Sequence, residues 1–506
     1  MFFQPVATLL LTALAAGPGA VASAITRSEA EDAQARACAA LYAAGFKDQL
    51  LVPSQQTYEE RVDSWWSADS RLTPTCIVQP RTAQDVSKIV SVLRYKTTAN
   101  FAVRSGGHSH WAGGSNIDNG VTIDLGLMQG TRYDPRTTLA SVLPGGRWAD
   151  VFKALEPYGV AVPGGRDGNV GVAGFLTGGG NSYYTARAGF GCDSIVNVEI
   201  VLADGRIINA NRQTNPDLLR AIKGGSGNFG IITRFDLATI PAGQIWGGIR
   251  ISNLSQAEIV TNSMVNFTNN NHRNPEAAYL INWTYNPSPS SEVVLAQVLV
   301  DTNGVERPPA FAEALQTEAL SDDSRIRAMS EMAETYVLPS GSYNVWFSFT
   351  VANDARVIRK AAQLHDTMVK EMLAAIPASD LFTQNLFQPV PRLFADIGLR
   401  QGGNVLGLDR DRGNSLMWLL SCTTRTAEQE VILRQKATAF ASSLEQYARS
   451  IGAMREWRYL NYVDPSQKHP ILSYGSANVK FLRQVAAKYD PQGFFQARRR
   501  AGFRLP

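Results

Sequence analysis

The sequence predicts an α+β protein with more than one domain. Its length of 506 residues exceeds what one ordinary core holds, and its composition, 44% hydrophobic and 18% charged, is that of a globular chain. Helix-like and strand-like patterns alternate along the chain, and their character changes near residues 241–243. The net charge is only +4. We interpret the single basic run, Arg498-Arg499-Arg500, as a solvated end and not as a nucleic-acid-binding patch.

The first half mixes helices and strands, with glycine-rich loops between them. Val86, Ile89, Val90 and Leu93 share one helical face in a helix that opens at Thr82. The other predicted elements of this half are helices over 33–46 and 148–155, and strands over 101–104, 121–125, 196–202 and 231–237.

The second half, from Trp246 to about Gly452, reads as a second α+β domain. Strand-like segments cover 292–300, 345–351 and 416–421 and alternate with long helices over 354–376 and from Thr426. A final helix covers 476–489 and stops at Asp490-Pro491. Four strand aromatics either line a cleft or, as is commoner, fill the core: Trp283, Trp346, Phe349 and Trp418.

The N-terminus is typical of a signal peptide. An apolar core over 6–16 precedes Ala22-Ser23-Ala24, a small-x-small cleavage pattern, although the leading segment has no Lys or Arg. Sequons begin at Asn253, Asn266 and Asn282 and are compatible with glycosylation in the secretory pathway. We therefore expect secretion, with no membrane attachment after cleavage.

Four cysteines are present, and none form a CxxC pair, which argues against a zinc ribbon or a redox dithiol. In an oxidising compartment we expect a Cys38–Cys76 disulfide that links an N-terminal helix to a strand. Cys192 and Cys422 lie in apolar or strand-like contexts and are predicted to be buried thiols.

Clustered glycines give the clearest functional signal. Glycine lets backbone N–H groups approach an anionic ligand, and several such loops suit an extended phosphate-bearing cofactor. The glycine-rich stretches are 104–109, 144–147, 164–166, 178–180 and 224–230.

The stretch 225–230 spells GxGxxG, but it follows a helix and precedes a strand. This order is the reverse of a dinucleotide fingerprint, so we exclude a Rossmann site. His108 lies in a glycine loop with His110 two residues away, and because no third ligand accompanies the pair we predict no metal.

Taken together, these motifs resemble the berberine-bridge-enzyme-like oxidases, a branch of the vanillyl-alcohol-oxidase flavoproteins. The resemblance covers essentially the whole mature chain. Its segments are 104–109, with His108 in an SGGHS loop, 121–125, 171–180, 187–193, 224–233 and 459–464.

The resemblance implies a PCMH-type FAD-binding domain in two subdomains and a substrate domain whose antiparallel sheet, flanked by helices, roofs the flavin. The C-terminal tail is expected to return to the FAD domain. On this basis we predict a signal peptide over 1–24, a helical segment over 25–71, the FAD domain over 72–243, the substrate domain over 244–455 and the returning segment over 456–506.

The resemblance also implies FAD joined through the ring of His108 to the flavin 8α-methyl group. Bicovalent members use a second link from a cysteine, and Asp167 stands at that place in this sequence, so a single link is expected. The predicted cofactor-binding residues are Arg104, Ser105, Gly106, Gly107, His108, Ser109, Gly165, Arg166, Val170, Gly171, Gly174, Gly178, Gly179, Gly180, Gly227, Asn228, Gly230, Ile231, Tyr459 and Asn461.

The implied activity is two-electron oxidation of a small organic substrate, with O2 as the acceptor. The single link favours a fungal oxidase of secondary metabolism, and the expected protein is a monomer. A carbohydrate oxidase on the same scaffold and a non-redox cyclase or binding module remain alternatives. Tyr462 is the candidate base, which would require a neighbouring positive charge or hydrogen bond, and simple packing against the flavin is the other interpretation.

Overall fold

The computed structural model describes residues 32–288, 290–335 and 337–506, and the predicted signal peptide lies outside these ranges. Within them the chain is α+β, as the sequence predicts. The α-helices α1 to α14 are 32–41, Gln56–Asp63, Ala83–Lys96, Trp148–Leu155, Val172–Thr177, Thr185–Ala188, Pro216–Gly225, Ala257–Asn270, Met329–Thr335, Ala355–Leu373, Arg392–Arg400, Ala427–Ser450, Ser476–Tyr489 and Phe494–Arg498.

The strands alternate with these helices along the chain. In order, β1 to β20 are Leu50–Leu51, Cys76–Val78, Phe101–Arg104, Val121–Asp124, Thr131–Asp134, Leu139–Val142, Val160–Ala161, Ile195–Val201, Ile207–Asn211, Ile231–Ala238, Ile240–Pro241, Ile245–Ser252, Ala277–Tyr285, Val293–Asp301, Ser321–Asp322, Arg325–Arg327, Tyr343–Ala352, Phe382–Val390, Ser415–Thr424 and Met454–Arg455.

A small sheet of order β1-β2-β4-β3 forms the first part of the molecule, with β2 and β3 both parallel to β4. Because β2 and β3 run in the same direction on either side of β4, the chain must cross over between them, and α3 makes this connection. The helix α3 begins at Thr82, whose side chain and that of Asp85 form a reciprocal capping box. The predicted Cys38–Cys76 disulfide is confirmed and links α1 to β2.

A second sheet of order β5-β6-β10-β8-β9 is antiparallel and follows in the chain. Asp204-Gly205 forms the turn between β8 and β9, with Gly205 at φ +86°. The helix α7 ends at Gly225 and β10 begins at Ile231, so the GxGxxG stretch joins a helix to a strand. The predicted order of helix, glycine stretch and strand is therefore confirmed.

A large antiparallel sheet follows, with the order β15-β12-β14-β13-β18-β19-β17-β20 and β16 paired with β12. The helices α8, α10 and α12 cover one face and share an apolar core with it. Leu280, Val298 and Met417 belong to the opposite face and pack with the cofactor-side core. This face forms a roof over the glycine loops.

The C-terminal segment returns to the first sheet, where Arg499 pairs with Phe101 in a parallel bridge. The helices α13 and α14 lie in this segment. Among the described residues, no helix combines the length and the apolar character that a bilayer crossing requires.

One glycosylation expectation is corrected by the fold. Asn253 and Asn266 are exposed, whereas Asn282 is only 1% exposed in the middle of β13. A glycan on Asn282 is incompatible with this strand position, because the side chain is buried inside the fold and leaves no space for a sugar.

Candidate active site

A cavity of about 370 Å³ lies between the glycine loops and the strand roof. Its walls contain Tyr462 and all the predicted cofactor-binding residues except Arg104, Gly179, Gly180 and Asn228. Loops more than three hundred residues apart in the chain therefore meet at one site. The clustering of glycines in the sequence reflects this convergence.

Arg104 supports the site from beneath. Its guanidinium lies 3.6 Å from the Trp65 ring centroid, and it donates to the backbone oxygens of Arg61 and Ser64. Burial lowers the pKa of Arg104 to about 9, although the Asp124 carboxylate opposes this shift. Arg104 thus holds the His108 loop in place without lining the cavity.

The glycine loops approach each other too closely for side chains. A Cβ on Gly171 would lie 2.3 Å from the backbone nitrogen of Gly106, and Gly107 has a φ of +67°. Gly179 and Gly180 shape the turn after α5, also with positive φ values. This contact between loops forms the floor of the cavity.

Gly174 faces the cavity differently, because an added Cβ would meet no atom within 4 Å. The same addition at Gly227 would meet only Arg499, at 3.8 Å. The floor therefore leaves open space above backbone groups, as a large anionic cofactor requires.

His108 lies in the cavity wall, where an aromatic contact fixes the plane of its ring. Its ring stacks on Trp66, with centroids 4.4 Å apart and planes 9° from parallel. Its Nε2 atom is buried and has no hydrogen-bond partner among the described residues. The nearest carboxylate oxygen, Oδ2 of Asp167, is 3.6 Å from Nε2.

Backbone amides fix the Asp167 carboxylate. The N–H of Asn169 donates to Oδ1 at 2.8 Å, and the N–H of Leu338 donates to Oδ2 at 3.0 Å. One amide comes from the glycine loop and the other from the substrate side. Asp167 therefore faces His108 in a defined orientation.

His110, two residues from His108, is buried against an aromatic ring. Its ring stacks on Trp346 at 4.8 Å between centroids. Burial, with a smaller effect from the positive charge of Arg434, lowers the pKa of His110 to about 3, so the ring is neutral. Within the described ranges, no three His, Cys, Asp or Glu side chains converge on one point.

Tyr462 and Arg166 form the polar centre of the cavity. Arg166 Nη2 donates to the Tyr462 hydroxyl at 2.7 Å and to Gln388 Oε1 at 2.6 Å. Burial opposes the charge of Arg166, but the nearby phenols of Tyr462, Tyr183 and Tyr459 raise its pKa above the ordinary value. Tyr462 thus has the cationic neighbour that a base role requires.

Tyr459 differs from Tyr462 in its environment. Burial raises the pKa of Tyr459, which keeps its phenol neutral. Its hydroxyl oxygen accepts hydrogen bonds from the Asn181 N–H at 2.7 Å and from Asn461 Nδ2 at 3.1 Å. These contacts position the Tyr459-Leu-Asn-Tyr462 segment against the floor.

The interpretation of Arg498-Arg499-Arg500 as a solvated end is wrong. Arg499 is 5% exposed and donates to Asn228 Oδ1 at 2.9 Å, which explains why Asn228 lies behind the wall. Burial lowers the pKa of Arg499 to about 10, and its Nε has no partner among the described atoms. A free donor beside Gly227 suits a phosphate oxygen.

Of the four strand aromatics, Trp346 lines the cavity, while Trp283, Phe349 and Trp418 belong to the core beneath α8, α10 and α12. The core interpretation is confirmed for these three. Trp66, which stacks on His108, and the roof leucines of the cavity wall, Leu280, Leu386 and Leu419, are not among the site residues predicted from the sequence. The adjacent pair Trp65-Trp66 within a polar connection was the available signal for Trp66.

Comparison with known proteins identifies this arrangement. Residues 74–211 match the FAD binding domain family, and residues 458–499 match the berberine and berberine-like family. The FAD-dependent monooxygenase drtC of Aspergillus calidoustus is 36% identical over 478 residues, which cover 94% of this chain and 91% of drtC. The chain belongs to the berberine-bridge-enzyme-like FAD-linked oxidoreductases. The family predicted from the sequence is confirmed, and the protein is an FAD-dependent oxidoreductase.

Solved structures share the fold of this berberine-bridge-like protein. Berberine bridge enzyme from Eschscholzia californica superposes with a TM-score of 0.72 at 15% identity, covering 91% of this chain and 98% of that one. Glucooligosaccharide oxidase from Acremonium strictum gives 0.73 at 17% identity, with 91% and 97% coverage, and is described with a 6-S-cysteinyl, 8α-N1-histidyl FAD. At these identities the likeness establishes the fold.

The residues of the cavity fit FAD. The floor offers backbone groups without side chains above them, and Arg499, a residue of the cavity wall, has a buried Nε donor with no partner among the described atoms. Groups of this kind are costly to bury unless a ligand satisfies them. The expected cofactor therefore agrees with the geometry.

Proposed function

We propose that this oxidoreductase is an oxidase of fungal secondary metabolism that removes two electrons from a small organic substrate, with O2 as the final acceptor. The observation that carries the proposal is the 2.7 Å hydrogen bond from Arg166 to Tyr462. This bond holds the positive charge of Arg166 against the hydroxyl of Tyr462, the candidate base, in the cavity that His108 also lines.

His108 is the proposed tether for the cofactor, through the flavin 8α-methyl group. Stacking on Trp66 holds the ring plane, and Asp167 offers an acceptor toward which an Nε2–H can turn. This arrangement leaves Nδ1 as the nitrogen for the cofactor. The orientation of the ring is thereby set before the link forms.

A single link is proposed because no thiol lines the cavity among the described residues. Cys192 and Cys422 are both buried elsewhere, and burial raises the pKa of each thiol. Asp167 stands in the wall where bicovalent relatives are expected to have their cysteine. It cannot form a thioether.

When bound, FAD supplies the two-electron chemistry. The residues of the chain handle the proton. Tyr462 accepts it from a substrate O–H or C–H, since the Arg166 guanidinium stabilises a phenolate more than a neutral phenol. Neutral Tyr459 accepts from the Asn181 N–H and Asn461 donates to the Phe175 carbonyl, and these bonds hold the Tyr462 segment against the floor.

The chain is further proposed to fold in the secretory pathway as a monomer. The Cys38–Cys76 disulfide supports an oxidising compartment, and the exposed Asn253 and Asn266 are accessible to glycosylation. The five-segment division of the chain made from the sequence is retained as part of this proposal.

Anaerobic mixing with a panel of phenols, alcohols and sugars tests the function. A true substrate should bleach the flavin, and subsequent air should restore it with one H2O2 formed per substrate oxidised. Because the relative drtC is named a monooxygenase, the product should also be analysed after reaction under ¹⁸O2. Label in the product would replace the oxidase by a monooxygenase, and conversion without bleaching would favour a non-redox cyclase.

A further inference from the structure

We propose that the substrate is an apolar ring compound with an acidic hydroxyl group, a phenol or an enol, whose oxygen is bound by Arg166. This inference rests on the proposed function and specifies its substrate class. It selects against a carbohydrate, the other substrate class compatible with the scaffold.

The roof above the cavity is apolar at its centre. Leu386 of β18 and Leu419 of β19 are direct register partners, and both line the cavity with Leu280 of β13. Trp346 of β17 adjoins them and packs with Leu419. A sugar would leave its hydroxyls unpaired against these side chains, whereas an apolar ring buries its surface there.

Polar groups of the roof flank the leucines. Gln384 and Gln388 lie two residues to either side of Leu386, and alternation places all three on one face of β18. Gln388 Oε1 is taken by Arg166 at 2.6 Å and by Asn181 at 3.2 Å. Its Nε2 is buried and has no partner among the described atoms, and Gln384 is the glutamine of this strand that lines the cavity.

The charge of Arg166 favours the same substrate class. Arg166 has no carboxylate within 4.0 Å in the described chain. Asp167 is the sole carboxylate in the described cavity wall, and it is held by backbone amides beside His108. A buried cation without a counter-ion is costly. An oxyanion from the ligand would complete this site.

The position of Arg166 assigns that oxyanion to the substrate. Its bonded partners are Gln388 on the roof strand β18 and the hydroxyl of Tyr462, not groups of the glycine floor. A hydroxyl bound there would lie next to the base that removes its proton. An acidic phenol or enol gives its O–H proton to the Tyr462 phenolate and leaves its own oxyanion on Arg166, so one anion faces the guanidinium before and after the transfer, while a sugar hydroxyl stays neutral near neutral pH.

The test is ligand binding to the flavin-loaded protein under anaerobic conditions, followed by the flavin's visible absorbance. The probes are 4-hydroxycoumarin, its ether 4-methoxycoumarin and cellobiose. We expect 4-hydroxycoumarin to bind about tenfold or more tightly than the ether, as a charged hydrogen bond implies, and cellobiose to give no saturable change.

Variants separate the two parts of the recognition. Arg166→Met should abolish the preference for the hydroxyl over the ether. Leu386→Gln should weaken both coumarins by similar factors and keep their ratio. Arg206→Met, a matched change at an arginine paired with Asp204 outside the cavity, should leave both affinities unchanged.

Equal affinity for hydroxyl and ether in the wild type, an unchanged preference in Arg166→Met, or tight binding of cellobiose would overturn the inference. If Arg166→Met does not fold, the wild-type ratio and the Leu386→Gln comparison still decide. The proposed function fails separately, since protein that carries no flavin, or whose flavin no substrate reduces, contradicts that function whatever the coumarins do.

Discussion

Replacement of Tyr462 by Phe separates the two roles left open for this residue. The ring packs edge-on against Tyr459 and Trp346, with centroids 4.8 and 5.6 Å apart. Phenylalanine keeps both ring contacts and removes only the hydroxyl that accepts the Arg166 hydrogen bond. Any large kinetic effect therefore belongs to the oxygen atom.

The expected magnitudes differ for the two roles. Loss of a general base lowers a rate by about 10²–10⁴-fold, equal to about 2.7–5.4 kcal/mol of barrier at ~1.36 kcal/mol per tenfold. If Tyr462 only packs, its ring contacts survive in the variant, and the rate should fall by less than about tenfold, or under ~1.4 kcal/mol. Because we propose that Tyr462 is the base, we expect the larger fall in rate.

The assay is anaerobic rapid mixing, in which the rate of flavin bleaching is followed at increasing substrate concentration. We expect the limiting rate in Tyr462→Phe to fall at least a hundredfold, while the substrate dissociation constant changes far less. Tyr158→Phe, at a residue 58% exposed, is the matched control and should behave as wild type. A limiting rate within about tenfold of wild type would remove the base assignment.

Further predictions concern the tether, the floor and the N-terminal region. Replacing both Cys38 and Cys76 by Ser should lower the free energy of unfolding in urea by up to about 4 kcal/mol, because the disulfide joins residues 38 positions apart. A reductant should lower the urea unfolding midpoint of the wild type to that of the variant. An unchanged midpoint would refute this prediction. Gly174→Leu should fold normally yet purify with little flavin, because the new side chain would fill open space in the cavity. The control is Gly243→Leu, which also has open space around it and should retain full flavin absorbance. Equal flavin content in the two variants would contradict the floor assignment. Burial raises the pKa of Asp69 to about 6 from 3.8, despite the Asn344 amide hydrogen bond, so the folded state holds this proton more tightly than the unfolded state. The wild-type free energy of unfolding should therefore fall relative to Asp69→Asn as pH rises from about 4 through 6 and then level off; a pH-independent difference in urea titrations would exclude this shift.

Local signals explain the parts of the fold that the sequence predicted well. The helix expected over 476–489 is observed at Ser476–Tyr489, because Asp490-Pro491 cannot continue it. Thr82 and Thr426 begin helices with capping boxes. Helix caps, helix-ending prolines and the spacing of apolar residues are each set by a few neighbouring residues. A single sequence is therefore enough to predict these helices.

The convergence of the glycine loops was also predictable, since clustered glycines indicate a ligand-binding site even when the arrangement of the loops in space is unknown. The partners within the site were not. Arg166 and Tyr462 are separated by 296 positions, and no periodicity links them. Only the tertiary fold shows that the guanidinium which Tyr462 needs comes from the residue beside Asp167.

The roof leucines were missed for a related reason. On a two-sided buried strand such as β19, every position is apolar or small, so the sequence does not say which face covers a ligand. Arg499 was misread because a basic run at a chain end is usually solvated. Its pairing with Asn228 and its bridge to β3 depend on the C-terminal return.

The central claim is a flavin held covalently by His108 in this cavity. Its most direct measurement is acid precipitation of the purified protein and of His108→Ala, followed by flavin absorbance in pellet and supernatant. The account predicts a yellow wild-type pellet, with the flavin of the variant released to the supernatant. A colourless wild-type pellet from protein that was yellow before precipitation, or a variant that keeps its colour, would contradict it.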